Sequence, residues 1–224
     1  MIVAVIPAHD EAARVGAVVR AAVVHLPVLL VDDGSSDETA AIAEAAGATV
    51  VRQRPNRGKG AALRAGLAAA IERGADAILT LDADGQHDPT EIPAFLDAWE
   101  RGGLDLLIGR RDFRAMPPVR RLANELGAVA FSRAVGRPIP DNQSGYRLLS
   151  RRLASELLGS REHGFEFEVE MIATAIRQGW TIGWLPIRTI YAGQSSHIRP
   201  GPHLVSFIRV VRSARRIVRG GDRS

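Results

Sequence analysis

An α/β fold with a mainly parallel central sheet and helices on both faces is what this sequence predicts, and three observations predict it. Short β-branched apolar runs alternate with helical periodicity over the first ~110 residues. Each run stops at a polar or glycine-rich cluster. The 224-residue chain is 46% hydrophobic, enough for one large α/β domain with a sizeable core.

The elements follow in order. "IVAVI", Ile2–Ile6, is short and apolar and reads as a buried strand ending at Pro7. "DEAARVGAVVRAAV" has helical spacing. "VLLVDD", Val28–Asp33, is the second strand, and Ser36 or Asp37 is placed to cap the Ala-rich helix after it. "ATVVRQ" is a third strand, and "NRGKGAALRAGLAAAIERG" is a loop and a helix closed by glycine. "DAILTLD", the helix "PTEIPAFLDAWERGG" and the strand "LDLLIG" complete the alternation. After Arg110 the rhythm breaks. A helix over Val119–Val135, two further helices, the strand-like "WTIGWLPIRTIYA" and a closing helix from about His203 are expected, with 1–202 as the main domain and 203–224 as a basic tail.

Composition excludes several chemistries. There is no cysteine, so disulfides, thiolate catalysis and cysteine-ligated zinc are ruled out. No signal peptide or membrane-spanning run is read from the sequence, and a cytoplasmic setting is expected, with peripheral attachment to the inner face of a membrane. From Arg199 onward seven arginines stand against Asp222, a net +6. The first 198 residues hold 22 basic and 24 acidic side chains, a net −2.

The polar clusters are the functional signal. Open α/β sheets bind ligands beyond the carboxyl ends of their strands. There the sequence sets "PAHDE", "DDGSSD", "RPNRGKG", "DADGQ" and "GRR", after strands one to five. Asp82, Asp84 and Asp88 repel one another, so a positive partner is expected at "TLDADGQHDP". Strand one is not followed by G-x-G-x-x-G, and "NRGKG" lacks the rest of a P-loop. A divalent cation on "DAD" would neutralise phosphates instead, since hard Mg²⁺ or Mn²⁺ takes one or two carboxylates plus substrate phosphates. Taken alone, "DADGQ" reads as a strand-end turn and "NRGKG" equally as a helix-entry turn or a phosphate contact through Lys59. His87 reads as a loop residue.

"VIPAHDEAARV", "VDDGSSDET", "NRGKGAALRAGL", "LDADGQHDP", "IGRR" and "SGYRLLS", in this order, resemble family 2 glycosyltransferases of the GT-A (nucleotide-diphospho-sugar transferase) fold, nearest to polyprenyl- or dolichyl-phosphate mannosyltransferases. The resemblance covers about residues 2 to 200. It implies that Pro7, Ala8, Glu11 and Asp33 contact the nucleoside, and that Asp82, Asp84 and Gln86 hold the metal against the diphosphate. It also implies that Arg110 meets a phosphate and that His197 and Arg199 lie near the acceptor phosphate. Ser144 and Glu168 are further substrate-contact candidates. Asp10 stands where the family commonly has Asn.

The reaction so implied is inverting transfer of a hexose, mannose or glucose, from a GDP- or UDP-linked donor. A hydroxyl acceptor needs a general base, for which Asp141 is the candidate. A phosphate monoester, with a second pKa of about 6, is already ionised and needs cations, which Arg110, Arg111, Arg114, Arg147 and Arg199 offer. The resemblance makes a polyprenyl phosphate the expected acceptor. A glycan or small-molecule hydroxyl is the alternative, and a non-catalytic nucleotide-sugar-binding or membrane-docking module is the reading of another class. The tail places Leu204, Phe207, Val211, Ala214 and Val218 on one helical face and Arg209, Arg212, Arg216 and Arg219 on another, a pattern suited to an anionic membrane surface. No aromatic stacking platform accompanies the arginines, which argues against nucleic acid. The oligomeric state is not legible.

Overall fold

The structure, a computed structural model, describes residues 1–116, 118–188, 190 and 211–220. Among the described residues the sheet has seven strands: β1 (Ile2–Ala8), β2 (Val28–Asp33), β3 (Thr49–Gln53), β4 (Ala77–Thr80), β5 (Leu106–Arg111), β6 (Arg147–Ser150) and β7 (Ile182–Ile187). Their spatial order is β3-β2-β1-β4-β6-β5-β7. All neighbours pair in parallel except β6, which runs antiparallel between β4 and β5.

Helices cover both faces, and strand alternation decides which residue goes where. Val3, Val5, Leu29, Ile78, Leu106, Ile108 and Leu149 point to one face. There they meet α3 (Lys59–Glu72), α5 (Pro118–Val135), α6 (Arg151–Leu157) and α7 (Glu166–Arg177). Ala4, Ile6, Leu30, Leu79, Leu107 and Leu148 point the other way, toward α1 (Ala12–Val23), α2 (Thr39–Ala45) and α4 (Ile92–Gly102). The two cores explain why the early strands read as continuous apolar runs: both of their faces are covered.

The sequence pattern does not mark "SGYRLLS" as a strand. Its strand is only four residues long and begins with a charged side chain, Arg147, which is fully buried. The register pairs Arg147 with Thr80 on β4 and with Ile108 on β5. Because β6 is reversed, its first residues lie at the carboxyl edge of its neighbours.

The closing helix departs from expectation. Residues 203–210 lie outside the described residues. Over 211–218 the chain is helical (α8), and Ala214 and Ile217 are buried in the α3–α5–α6–α7 core. The apolar side of this segment thus faces protein, leaving Arg212, Arg215, Arg216 and Arg219 exposed. Among the described residues no helix is long and apolar enough to cross a membrane.

α3 lies close against β1 because of Gly66. A Cβ there would sit 2.3 Å from Val5 Cγ1 and 3.1 Å from Val31 Cγ2. Alanine would gain up to about 1 kcal/mol of helix propensity, against an overpacking cost of about 1–3 kcal/mol. Gly66→Ala is expected to lower stability in denaturant melts, and Val5→Ala in the same chain to recover part of the loss. Strict additivity of the two changes would show that this contact does not set the helix–sheet spacing.

Candidate functional site

A cavity of about 360 Å³ opens at the carboxyl edge of the sheet. It is lined by Pro7, Ala8, His9 and Glu11 after β1, Asp33 at the end of β2, Asn56, Gly58 and Lys59 at the entry to α3, and Asp82, Ala83 and Asp84 after β4. Four of the five polar clusters therefore meet in one place. The fifth does not line it. β6 intervenes between β4 and β5, so Arg110 stands exposed at the end of β5, outside the lining.

Within the chain itself, Lys59 is the positive partner of Asp82. Its Nζ lies 2.6 Å from Asp82 Oδ1 and 3.1 Å from Glu168 Oε1. Burial opposes the ammonium charge, but the two carboxylates outweigh burial and raise the Lys59 pKa. Burial likewise disfavours the Asp82 carboxylate, and Lys59 reverses that effect, holding Asp82 below the ordinary carboxylate range. One ammonium thus ties together the start of α3, the end of β4 and the first turn of α7.

Glycines allow this approach. Gly58 adopts φ 92°, and a Cβ there would lie 2.5 Å from the His163 carbonyl oxygen. The Gly60 N–H donates to that oxygen at 2.8 Å. Gly145, just before β6, would place a Cβ 2.8 Å from Glu168 Oε1 and 2.9 Å from Asp82 Oδ2. The glycines of "GKG" and "SGY" thus let backbone pass against the ion cluster.

Beneath the cluster lie two buried groups, Arg147 and His87. Arg147 is not a surface phosphate ligand. Its Nε donates to the Ser144 carbonyl at 2.7 Å, Nη2 to that of Asn142 at 3.2 Å, and Nη1 to that of Glu168. Ser144 is buried beside it and does not line the cavity. His87 lies in the loop after β4, as read, but turns inward. It is buried, and its Nδ1 accepts the Asp82 N–H at 3.1 Å. Burial lowers its pKa, and the accepting Nδ1 fixes the neutral form. Its ring packs against Tyr146, which stacks on Phe95 with centroids 4.3 Å apart.

Asp141 is also placed differently from a general base. It is fully buried, and Arg111 grips it through Nε at 2.7 Å and Nη2 at 2.9 Å. A carboxylate so held orients Arg111 rather than taking a proton from a substrate.

Asp84 faces the cavity. Its two oxygens accept the Gln86 N–H and the Gln86 side-chain amide, each at 2.9 Å. Gln86 thus orients Asp84 through its backbone and side-chain amide donors. Among the described residues no three His, Asp or Glu side chains converge as a self-sufficient metal cage. Asp33 lines the cavity while its carboxylate accepts the Arg57 and Gly58 N–H groups at 2.8 and 2.7 Å, so it fixes the loop before α3 as well. Burial raises the pKa of Glu11, against the pull of Arg14. Asp10 takes φ 53°, a left-handed conformation that Asp and Asn tolerate, and its carboxylate accepts the Ser36 N–H at 2.7 Å. Asp37, the expected cap, accepts the Thr39 N–H at 3.0 Å and also the Ala12 N–H at 3.1 Å, so it serves two helices.

The sequence reading missed His9, Asn56 and Phe165 as lining residues. Phe165 is 70% exposed at the rim, with Lys59 Nζ 5.4 Å from its ring centre. An exposed aromatic cannot be told from a core one by periodicity. His197 and Arg199 lie outside the described residues.

The family model for glycosyl transferase family 2 matches residues 3–158. Among curated proteins, the polyprenol monophosphomannose synthase of Mycolicibacterium smegmatis is 31% identical, over 82% of this chain and 75% of its own length. The UDP-N-acetylglucosamine–dolichyl-phosphate N-acetylglucosaminyltransferase of Methanococcus voltae is 29% identical, over 87% of this chain and 88% of its own. Among solved structures, glucosyl-3-phosphoglycerate synthase of Mycobacterium tuberculosis superposes with a TM-score of 0.72 at 24% identity, covering 99% of this chain and 81% of that one.

The buried neutral His87 makes the site acid-sensitive. Unfolded, it titrates near 6.5, and in the native protein it titrates lower. Below 6.5 the unfolded chain therefore takes up a proton that native His87 refuses, and stability falls as pH drops toward the native pKa. His87→Gln, whose amide oxygen can accept the Asp82 N–H, is expected to flatten this part of the curve. Denaturant melts between about pH 7.5 and 5.5 measure it; equal slopes in both proteins would place the acid sensitivity elsewhere.

Proposed function

The chain belongs to glycosyl transferase family 2, and from that premise we propose that it moves a hexose, with inversion, from a GDP- or UDP-linked donor to a polyprenyl phosphate. The observation that carries this reading is the cavity lined by Pro7, Glu11, Asp33, Lys59, Asp82 and Asp84 in a chain whose relatives include a polyprenol monophosphomannose synthase. In this reading Pro7, Ala8, Glu11 and Asp33 receive the nucleoside, and Lys59 and Asp84 bracket the diphosphate. A phosphate oxygen of the acceptor attacks the anomeric carbon as the bond to the diphosphate breaks, and the nucleoside diphosphate leaves with the electron pair.

The donor set fits Mg²⁺ or Mn²⁺, the ions present with UDP in solved complexes of glucosyl-3-phosphoglycerate synthase. Asp84 supplies a hard carboxylate oriented by Gln86, and a site with few protein ligands suits a cation that also takes substrate phosphates. The bound ion would supply Lewis-acid stabilisation to the departing diphosphate. Asp82 is neutralised by Lys59, so it braces the floor and Asp84 is the principal protein ligand. The phosphate acceptor is favoured over a hydroxyl because the one carboxylate expected as base, Asp141, is held by Arg111. Exposed Arg110 and Arg114 stand beyond β5 to meet the acceptor phosphate.

The test is incubation with labelled sugar nucleotides, Mn²⁺ or Mg²⁺ and a polyprenyl phosphate, followed by solvent extraction. Label is expected in the organic phase, and Asp84→Ala should lower turnover about 100-fold or more. Metal-dependent label that stays in the aqueous phase would reject the lipid acceptor.

Lys59→Met examines the competition between ammonium and metal. It frees the Asp82 carboxylate, so Mn²⁺ affinity of the donor-free protein, read by electron paramagnetic resonance, is expected to rise about tenfold. Unchanged affinity would show that Lys59 does not shield Asp82 from the cation.

A further inference from the structure

Helix α5 is apolar on two opposite sides. Ala128, Phe131 and Val135 face the core. Leu122, Leu126 and Val129, spaced i, i+4, i+7, form a second stripe and are 58%, 61% and 46% exposed. A helix that packs through one face ordinarily presents polar residues on the other, so this stripe is a surface in want of a partner. One turn further on, exposed Arg133 continues it.

The surroundings select the partner. Between Arg110 and Arg137 the sequence holds seven arginines against Asp112 and Glu125, and Glu125 is paired with Arg121 at 2.7 Å. A symmetric contact between two copies would set this positive segment against itself. An anionic bilayer complements both its apolar stripe and its charge. α5 also packs against the short 3-10 turn Phe113–Ala115 that follows β5, so the stripe begins at the sheet edge where the cavity opens. α8 offers no equivalent, because Ala214 and Ile217 are buried.

We infer that the outer face of α5 seats the protein on an anionic membrane. Leu122, Leu126 and Val129 enter the boundary between headgroups and acyl chains, and Arg121, Arg133 and Arg137 meet lipid phosphates. This inference rests on the lipid-phosphate acceptor proposed above.

The test is flotation of the full chain with phosphatidylcholine vesicles containing about 30% phosphatidylglycerol. The wild type is expected to float, and the triple variant Leu122→Ser, Leu126→Ser, Val129→Ser to lose about tenfold or more in partitioning while binding nucleotide normally. Arg133→Gln should weaken flotation less and reduce its salt dependence. A wild type that stays in the dense fraction, or a triple variant that floats equally, overturns the docking face. So does a wild-type dimer in sedimentation that the triple variant converts to monomer, since the stripe would then belong to a second copy. Transfer to polyprenyl phosphate in detergent micelles separates the two ideas: its absence rejects the acceptor reading, whereas normal transfer beside unaltered flotation of the variant rejects α5 alone.

Discussion

The Lys59 ammonium between Asp82 and Glu168 is the contact on which the site depends. It joins three segments far apart in sequence, the start of α3, the end of β4 and the first turn of α7. Two carboxylates near one another inside a protein are costly unless a cation compensates them. Removing Lys59 would leave both charges against the Gly145 backbone, which approaches so closely only because it carries no side chain. The cavity floor is thus a charge arrangement first and a shape second. Arg147 and His87 serve it from below, the one by satisfying three carbonyls and the other by receiving the Asp82 N–H.

Much of this architecture was legible in the sequence. Val28–Leu30 and Leu106–Ile108 alternate between two covered faces, so their apolar runs announce buried strands. Placing the polar clusters at strand ends located Pro7, Glu11, Asp33, Lys59, Asp82 and Asp84 in one cavity. The errors share a cause. Side-chain chemistry makes Asp141 and Arg147 candidates for a base and a phosphate ligand, but the chain entering β6 buries both. A four-residue strand opening with arginine carries no periodic signal, and its insertion between β4 and β5 separates the "GRR" cluster from the cavity. Nor does helical periodicity say which side of an amphipathic helix meets the protein. In α8 the apolar side turns inward, whereas α5 has an apolar stripe to spare.

Function follows from how these parts divide the work. The floor and one wall of the cavity are built from β1 to β4 and the turns after them, held by backbone hydrogen bonds to Asp10, Asp33 and Asp37. These carboxylates fix loop geometry, and Asp84 and Glu11 remain turned to the cavity. The segment beyond β5 is basic and apolar by turns, the pattern on which the proposed lipid contact rests.

The reversed β6 has a consequence for how the molecule is made. β4 and β5 are neighbours in sequence but not in the sheet; the slot between them stays empty until residues 147–150 arrive to fill it. On a ribosome the β1–β4 half would emerge with its inner edge unpaired, a template for wrong partners. The strand that closes the slot also brings Gly145 against Asp82, so the inner edge is sealed by the piece that completes the floor.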